Sequence, residues 1–161
     1  MRIEQPYRRK CAARFEIAAP PESVFSLMCP AREYEWEPGW TTNLILSKSG
    51  LVEQDCIFTT PGGASDYSAN ACSEAIWTTP IYDPESKKLT MIKVTPGDVV
   101  TRLDISVEGG DAAAVVSASY EHTALSPVGC KTVDQHTDEE FSQMMLRWSA
   151  ALARALGAQK I

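Results

Sequence analysis

The chain has 161 residues, of which 44% are apolar, and a net charge of −6 at pH 7. This length suits one domain with a buried core, and the apolar content excludes an intrinsically disordered chain. The negative charge argues against nucleic acid as a partner, because phosphate binding requires clustered Lys and Arg.

The sequence also indicates a cellular compartment. No segment is apolar over enough length to span a bilayer, so we expect no integral membrane association. The first six residues have no apolar core, which argues against a secretory signal peptide. The five cysteines form an odd set without a CxxC spacing, a pattern typical of reduced thiols and not of a disulfide framework or a zinc site. We therefore expect a cytoplasmic protein.

The N-terminal region predicts one strand and two short helices. Apolar and polar residues alternate over Lys10–Ala18, which is the pattern of a half-buried strand. Pro21 can open a helix, because the N–H that it lacks has no partner in a first helical turn, and Phe25 and Met28 lie on the apolar face that follows. A second short helical turn is predicted over Ala31–Trp36.

The middle of the chain predicts six strands. Their expected bounds are Asn43–Lys48, Asp55–Thr60, Ser73–Tyr82, Lys88–Thr95, Val99–Glu108 and Ala113–Ala124. Short links between consecutive strands require antiparallel pairing, because a parallel pair needs a crossover of about a dozen residues. The exception is Pro61–Cys72, which we predict to be a longer, mobile loop.

The last segment predicts a long amphipathic helix. Thr137 and Glu140 form a capping box, and Gly157 is placed to end the helix in a left-handed conformation. Between them an apolar face recurs at helical spacing: Phe141, Met145, Trp148, Leu152 and Leu156. The element order predicts an α+β fold, a seven-stranded antiparallel sheet covered by the C-terminal helix, as one domain over residues 1–161 with a core at about 10–157.

Several segments carry a family resemblance, in sequence order: Ala19–Pro30, Cys29–Trp40, Asp55–Thr60, Trp77–Pro84 and Arg102–Ser106. Together they resemble the START-like, or Bet v 1-like (SRPBCC), superfamily and its bacterial polyketide cyclase/dehydrase-like subset. The resemblance implies a helix-grip fold, in which the sheet wraps around the C-terminal helix and leaves a cavity between them. It also implies binding of lipids, sterols, polyketides or other apolar molecules, with a minority of members acting as enzymes.

One segment departs from that resemblance. Plant members of the superfamily carry a glycine-rich loop between the second and third strands, whereas Ser49–Gln54 contains one glycine. A role like that of a phosphate-binding loop is therefore not carried over to this segment.

His122 is the most informative candidate for chemistry. It shares the more apolar face of the last predicted strand with Tyr120, so both side chains should face the cavity. A buried imidazole and phenol can orient a ligand carbonyl or act on it as acid and base; the alternative is a hydrogen-bonded core histidine beside a tyrosine that packs. His122 and His136 lack zinc-like spacing, and nucleotide-binding and nucleophile motifs are absent, so we expect no metal and no cofactor.

Large apolar side chains supply the other candidates. The predicted ligand-binding set is Phe25, Met28, Trp36, Trp40, Phe58, Trp77, Tyr120, His122, Met145 and Trp148. Trp36 and Trp40 form either an aromatic lip over the cavity mouth or an anchor for the second short helix. The remaining members are either ordinary core residues or the cavity wall. Glu33 and Glu35, in the short helical turn, are predicted to be solvated.

Three functions remain open. The first is a carrier or sensor for a lipid-like, aromatic or polyketide-like molecule, and the second is a cyclase- or dehydratase-type enzyme that uses His122 and Tyr120. The third is a co-chaperone-like protein-interaction module. A cavity with few polar groups favours the first, a polar cluster inside it the second, and a filled interior the third. The expected partner is a small apolar molecule, and the chain is either a monomer or, through an exposed strand edge, a homodimer.

Overall fold

Seven antiparallel strands and three α-helices make up the part of the chain that the structure, a computed structural model, describes: residues 1, 3–62 and 74–157. The strands are β1 (Arg8–Ile17), β2 (Leu44–Leu46), β3 (Ile57–Thr60), β4 (Ala75–Asp83), β5 (Lys88–Thr95), β6 (Val99–Gly110) and β7 (Ala113–Ala124). The helices are α1 (Pro21–Leu27), α2 (Pro127–Gln135) and α3 (Asp138–Ala155), with a 3-10 turn at Glu33–Glu35. The predicted α+β helix-grip arrangement is confirmed.

The strands form one sheet in the order β1-β7-β6-β5-β4-β3-β2. β5 and β7 have their predicted bounds, whereas β2 and β3 are shorter than predicted. β2 ends early because the N–H groups of Lys48 and Ser49 donate to the Glu53 carboxylate instead of continuing the ladder. β3 begins late because Asp55 has a left-handed backbone conformation, with φ of 61°. The predicted loop Pro61–Cys72 lies, after its first two residues, outside the described residues.

Helix α3 begins and ends as the sequence predicts. The Thr137 hydroxyl accepts a hydrogen bond from the N–H of Glu140 at 3.2 Å, and Gly157 follows the helix with φ of 62°. The apolar face is buried against the sheet, and Leu152 at its centre is fully buried. In the described part of the chain, no helix has the length and apolar content to cross a membrane.

Helix α2 was not predicted from the sequence. Its N-terminus is capped by Ser126, whose hydroxyl accepts from the Gly129 N–H at 3.1 Å, and Pro127 occupies its first turn. A Cβ atom at Gly129 would lie 2.0 Å from the carbonyl oxygen of Asp98, so only glycine allows this close packing on the turn between β5 and β6. The helix therefore covers one end of the sheet.

Candidate functional site

Two neighbouring rows of side chains on the inner face of the sheet define the candidate site. The strand register aligns Lys93, Thr101 and His122 in one row across β5, β6 and β7. The next row, about 7 Å along the strands, begins with Met91 and ends with Tyr120. The first row lies near α2, which packs on β6 and β7, and the second lies beneath α3.

The second row is one wall of an internal cavity of about 80 Å³. All four tryptophans of the chain line this tryptophan cavity: Trp36, Trp40, Trp77 and Trp148. Four polar or charged side chains also line it: Glu33, Glu37, Tyr120 and Arg147. The cavity is therefore mainly aromatic, with a small number of groups able to form hydrogen bonds or ion pairs.

Hydrogen bonds outside the cavity fix the indole rings. The Trp36 and Trp40 N–H groups donate to the backbone carbonyls of Leu27 and Pro30, at 2.7 and 2.8 Å. The indole N–H of Trp77 donates to a buried threonine hydroxyl at 3.0 Å. Because these donors are satisfied elsewhere, the three rings offer their carbon surfaces to the cavity.

The indole rings meet at steep angles. The planes of Trp36 and Trp148 are 81° apart with centroids at 5.3 Å, and those of Trp40 and Trp77 are 70° apart with centroids at 6.1 Å. Edge-to-face pairs of this kind are a favourable aromatic geometry. The tryptophans therefore form walls in several directions around the space.

The prediction that Glu33, in the short helical turn, is solvated is wrong. Only 7% of its surface is exposed, whereas Glu35 is exposed and pairs with Arg32. In a 3-10 turn, residues three apart lie on the same side, so burial of Trp36 also buries Glu33. The spacing of three residues between Glu33 and Trp36 is the sequence signal for this burial.

Two of the polar groups that line the cavity have no side-chain partner in the described part of the chain. Neither the Glu33 carboxyl nor the Tyr120 hydroxyl has a hydrogen-bond partner among the described residues. Burial, followed by the charge of Glu37, raises the pKa of Glu33 to about 8, so its carboxyl is mostly neutral at pH 7. Burial also raises the pKa of Tyr120, with Glu33 and Glu37 adding to the effect. Both groups are available to a bound molecule.

A pair of opposite charges lies nearer the surface. Glu37 follows the 3-10 turn, and Arg147 lies on the exposed side of α3; both also line a neighbouring surface groove. Burial raises the pKa of Glu37, while Arg147 opposes that shift. Arg147 therefore compensates the charge of Glu37 at the cavity mouth.

His122 lies on the inner face, as predicted, but it does not line the tryptophan cavity. Its Nδ1 atom is 2.9 Å from the hydroxyl oxygen of Thr101, its partner in the strand register. Its ring stacks on that of His136, with centroids 3.7 Å apart and planes at 6°. Burial is the main cause that lowers the pKa of His122 to about 3 and that of His136 to about 4, so both rings are neutral at pH 7.

Six buried side chains form a histidine cluster: Lys93, Asp98, Thr101, His122, Thr132 and His136. Both charged residues are buried. Burial lowers the pKa of Lys93 to about 8, and the charge of Asp98 opposes the shift. The Thr132 hydroxyl donates to the Asp98 carboxylate at 2.8 Å. These polar groups contact one another, so the cluster is a structural connection between α2 and the sheet.

The structure brings together six of the ten predicted ligand-binding residues. Those that line the cavity are Met28, Trp36, Trp40, Trp77, Tyr120 and Trp148. Phe25, Phe58 and Met145 are buried in the core beside it, and the Phe58 ring stacks on that of Trp77. Among the described residues, no three His, Cys, Asp or Glu side chains are grouped as metal ligands.

Known structures share this architecture. No family model matches the chain, and no curated protein matches it in sequence. A norcoclaurine synthase point mutant from Thalictrum flavum, in complex with a transition state analogue, matches with a TM-score of 0.65 and 14% identity over 96% of this chain and 97% of its own.

Two further matches have different names. A START superfamily protein from Mycobacterium smegmatis matches with a TM-score of 0.59 and 13% identity over 92% of this chain and 97% of its own. The di-domain ARO/CYC protein BexL of the BE-7585A biosynthetic pathway matches with a TM-score of 0.62 and 14% identity, over 89% of this chain and 46% of its own. This chain therefore has the helix-grip fold that START-like and Bet v 1-like proteins share.

Proposed function

We propose that the protein binds a compact small molecule in the tryptophan cavity, as a carrier or sensor. The observation that supports this proposal is a cavity walled by all four tryptophans, with two buried polar groups that have no partner among the described residues. Apolar walls with a few placed polar groups are the usual composition of a small-molecule site.

The size of the cavity limits the ligand. Its volume of about 80 Å³ is well below the roughly 300–1,000 Å³ of pockets that hold drug-sized molecules. A long acyl chain or a multi-ring polyketide exceeds this space, whereas a single ring or a branched group of similar size suits it. Norcoclaurine synthase from Thalictrum flavum is seen in complex with dopamine and hydroxybenzaldehyde, each of which contains one aromatic ring.

Tryptophan fluorescence tests the proposal, because every tryptophan lines the cavity. We expect cyclohexanol, a neutral single-ring probe that does not absorb near 280 nm, to change the emission in a saturable manner. Leu103→Phe extends a wall residue into the cavity and should weaken binding about tenfold. Leu146→Phe, on the exposed side of α3, is the matched control and should bind as the wild type does. Absence of a saturable change in the wild type would contradict the proposal.

An acid–base enzyme is the second candidate. The observation that favours it is a mostly neutral Glu33 carboxyl in the same cavity as the Tyr120 hydroxyl. These groups replace the predicted pair of His122 and Tyr120, because His122 lies outside the cavity. The Tyr120 hydroxyl can donate a hydrogen bond to a carbonyl oxygen. The fraction of Glu33 that is ionised near neutral pH can accept a proton from the neighbouring carbon and then return a proton or deuteron to it.

Exchange of the α-protons of cyclohexanone into deuterated water, followed by NMR, tests this second candidate. We expect the wild type to accelerate exchange and Glu33→Gln to abolish the acceleration. The exposed Glu35→Gln variant serves as the matched control and should retain it. A wild-type rate equal to that of buffer would exclude this activity toward a simple ketone.

A further inference from the structure

The charges around the tryptophan cavity point to a more specific ligand class. We propose that the cavity binds a compact organic cation, with its methyl or ring carbons against the indole faces and its charge beside the Glu33 carboxylate. This inference rests on the proposed function, because it names the ligand class of the same cavity. Three observations carry it: the aromatic walls, the carboxyl group without a partner, and the placement of the neighbouring charges.

The aromatic walls offer electron-rich surface to a cation. The N–H groups of Trp36, Trp40 and Trp77 bond outside the cavity, so a ligand meets their carbon atoms. Indole faces attract ammonium groups more strongly than the other aromatic side chains do, and rings on several sides add their effects. Trp77 already contacts a cation, since the Lys93 Nζ atom lies 5.2 Å from its ring centroid, and Phe58 stacks on the same ring. The ligand is therefore expected on the faces of Trp36, Trp40 and Trp148.

Glu33 supplies the counter-charge. Its side chain lines the cavity, is 7% exposed, and has no hydrogen-bond or ion-pair partner among the described residues. A buried carboxylate without a partner is unfavourable, and a cation bound beside it removes that cost. Among the described residues, the charge that acts on Glu33 is the like charge of Glu37, which adds to the effect of burial in raising its pKa.

Arg147, the cation of the cavity wall, does not neutralise Glu33. It is exposed on α3, and the carboxyl on which its charge acts is that of Glu37. The charge of Arg147 acts on Glu37 at the mouth, so Glu33 is the interior carboxyl for which the described residues supply no counter-charge. The net charge of −6 also favours the approach of a cation over that of an anion.

The cavity volume is on the scale of a trimethylammonium group or a protonated small ring amine, and it excludes nucleotides and peptides. A neutral ligand that accepts a hydrogen bond from Glu33 or Tyr120 is the competing explanation. The cationic and the neutral ligand differ in whether binding removes the proton from the Glu33 carboxyl. A cation lowers the pKa of Glu33 and displaces its proton to solvent, whereas a neutral acceptor keeps the proton on the carboxyl.

Isothermal titration calorimetry with a matched pair of probes distinguishes them. Choline carries a trimethylammonium group, and 3,3-dimethylbutan-1-ol has the same shape with carbon in place of nitrogen. At pH 7 we expect choline to bind at least tenfold more tightly than the alcohol. Comparison of phosphate and Tris buffers, which have different ionisation enthalpies, should show release of nearly one proton for each choline bound and none for the alcohol.

Variants assign the effect to Glu33. Glu33→Gln should abolish proton release and reduce the affinity for choline to within a few-fold of that for the alcohol. Glu35→Gln, two residues away and exposed, should keep both properties. The wild-type proton count tests the proposal even if Glu33→Gln does not fold.

Three outcomes would overturn the inference. If the alcohol binds as tightly as choline, or a proton is taken up, the ligand class is wrong and the proposed function stands. If choline does not bind while cyclohexanol does, the same conclusion follows. If neither choline nor cyclohexanol binds, the inference and the proposed function fail together.

Discussion

The tryptophan cavity and the histidine cluster lie on neighbouring rows of the same sheet, and they differ in the hydrogen-bond partners of their buried polar groups. In the histidine cluster, the side chains of Thr101 and His122 bond to each other across two strands. In the cavity, the Glu33 carboxyl and the Tyr120 hydroxyl belong to buried residues as well but have no partner among the described residues. Buried polar groups normally have hydrogen-bond partners, so a pair that lacks them beside an internal space indicates a place for a ligand.

The comparison also explains why burial alone does not identify a functional group. His122 is more deeply buried than Glu33, and its pKa is strongly lowered. Burial is the main cause of the shift, followed by the charges of His136 and Lys93, and His122 does not line the cavity. Structural networks perturb pKa values as strongly as active sites do. A structural group differs from a candidate functional group in what its side chain faces: other protein groups in the first case, and a cavity in the second.

The largest expected effect concerns the histidine cluster. Asp98→Ala removes the acceptor of the Thr132 hydroxyl and the negative charge near Lys93. Loss of one partner from a buried charged pair costs about 3–5 kcal/mol of unfolding free energy, which urea denaturation measures. Arg102→Ala, at the exposed end of the ion pair with Asp104, is the control and should cost about 1 kcal/mol or less. Equal losses in the two variants would show that the cluster is not a structural connection.

The second expected effect is a gain in unfolding free energy, and it concerns Glu33 in the tryptophan cavity. The pKa of Glu33 in the folded protein, about 8, lies above its ordinary value of 4.5. The stability that depends on its proton is therefore full below pH 4.5 and is lost as the pH rises toward 8. Glu33→Gln removes this loss, so it should raise the unfolding free energy at pH 8, relative to the wild type, by on the order of 3 kcal/mol.

The same variant should show almost no gain at pH 4.5, which thermal or urea unfolding at both pH values measures. His122 and His136 act in the opposite direction, because their lowered pKa values cause a loss of stability as the pH falls below about 6.5. Their contribution is common to the variant and the wild type, so it cancels in the difference. A gain that does not depend on pH would contradict the assignment to Glu33. A variant that is more stable but binds less would place Glu33 among residues kept for function.

The smallest effect separates two hydroxyl groups. Tyr120→Phe removes a hydroxyl that has no partner among the described residues, so it should change the unfolding free energy by less than about 1 kcal/mol. Thr101→Val removes the partner of the His122 Nδ1 atom and should cost about 1–3 kcal/mol. Chemical denaturation of both variants gives the comparison. A larger loss in Tyr120→Phe than in Thr101→Val would mean that Tyr120 supports the fold.

The sequence by itself determined the elements whose pattern is local. Alternation along β7 placed Tyr120 and His122 on the inner face, and the Thr137 cap with its helical apolar spacing predicted α3. These patterns depend on the backbone repeat of one element, so they can be read without knowledge of its neighbours. The resemblance in sequence order then predicted how the elements are arranged.

Only the tertiary structure decided which of these side chains meet. His122 joined His136 instead of the cavity because α2, a helix that was not predicted from the sequence, packs through Gly129 on the turn beside Asp98. The four tryptophans come from the loop after α1, from β4 and from α3, and strand register and helix packing bring them to one cavity. Burial of Glu33 follows from the same packing. Contacts between distant segments depend on register and close approach, which local sequence patterns do not encode.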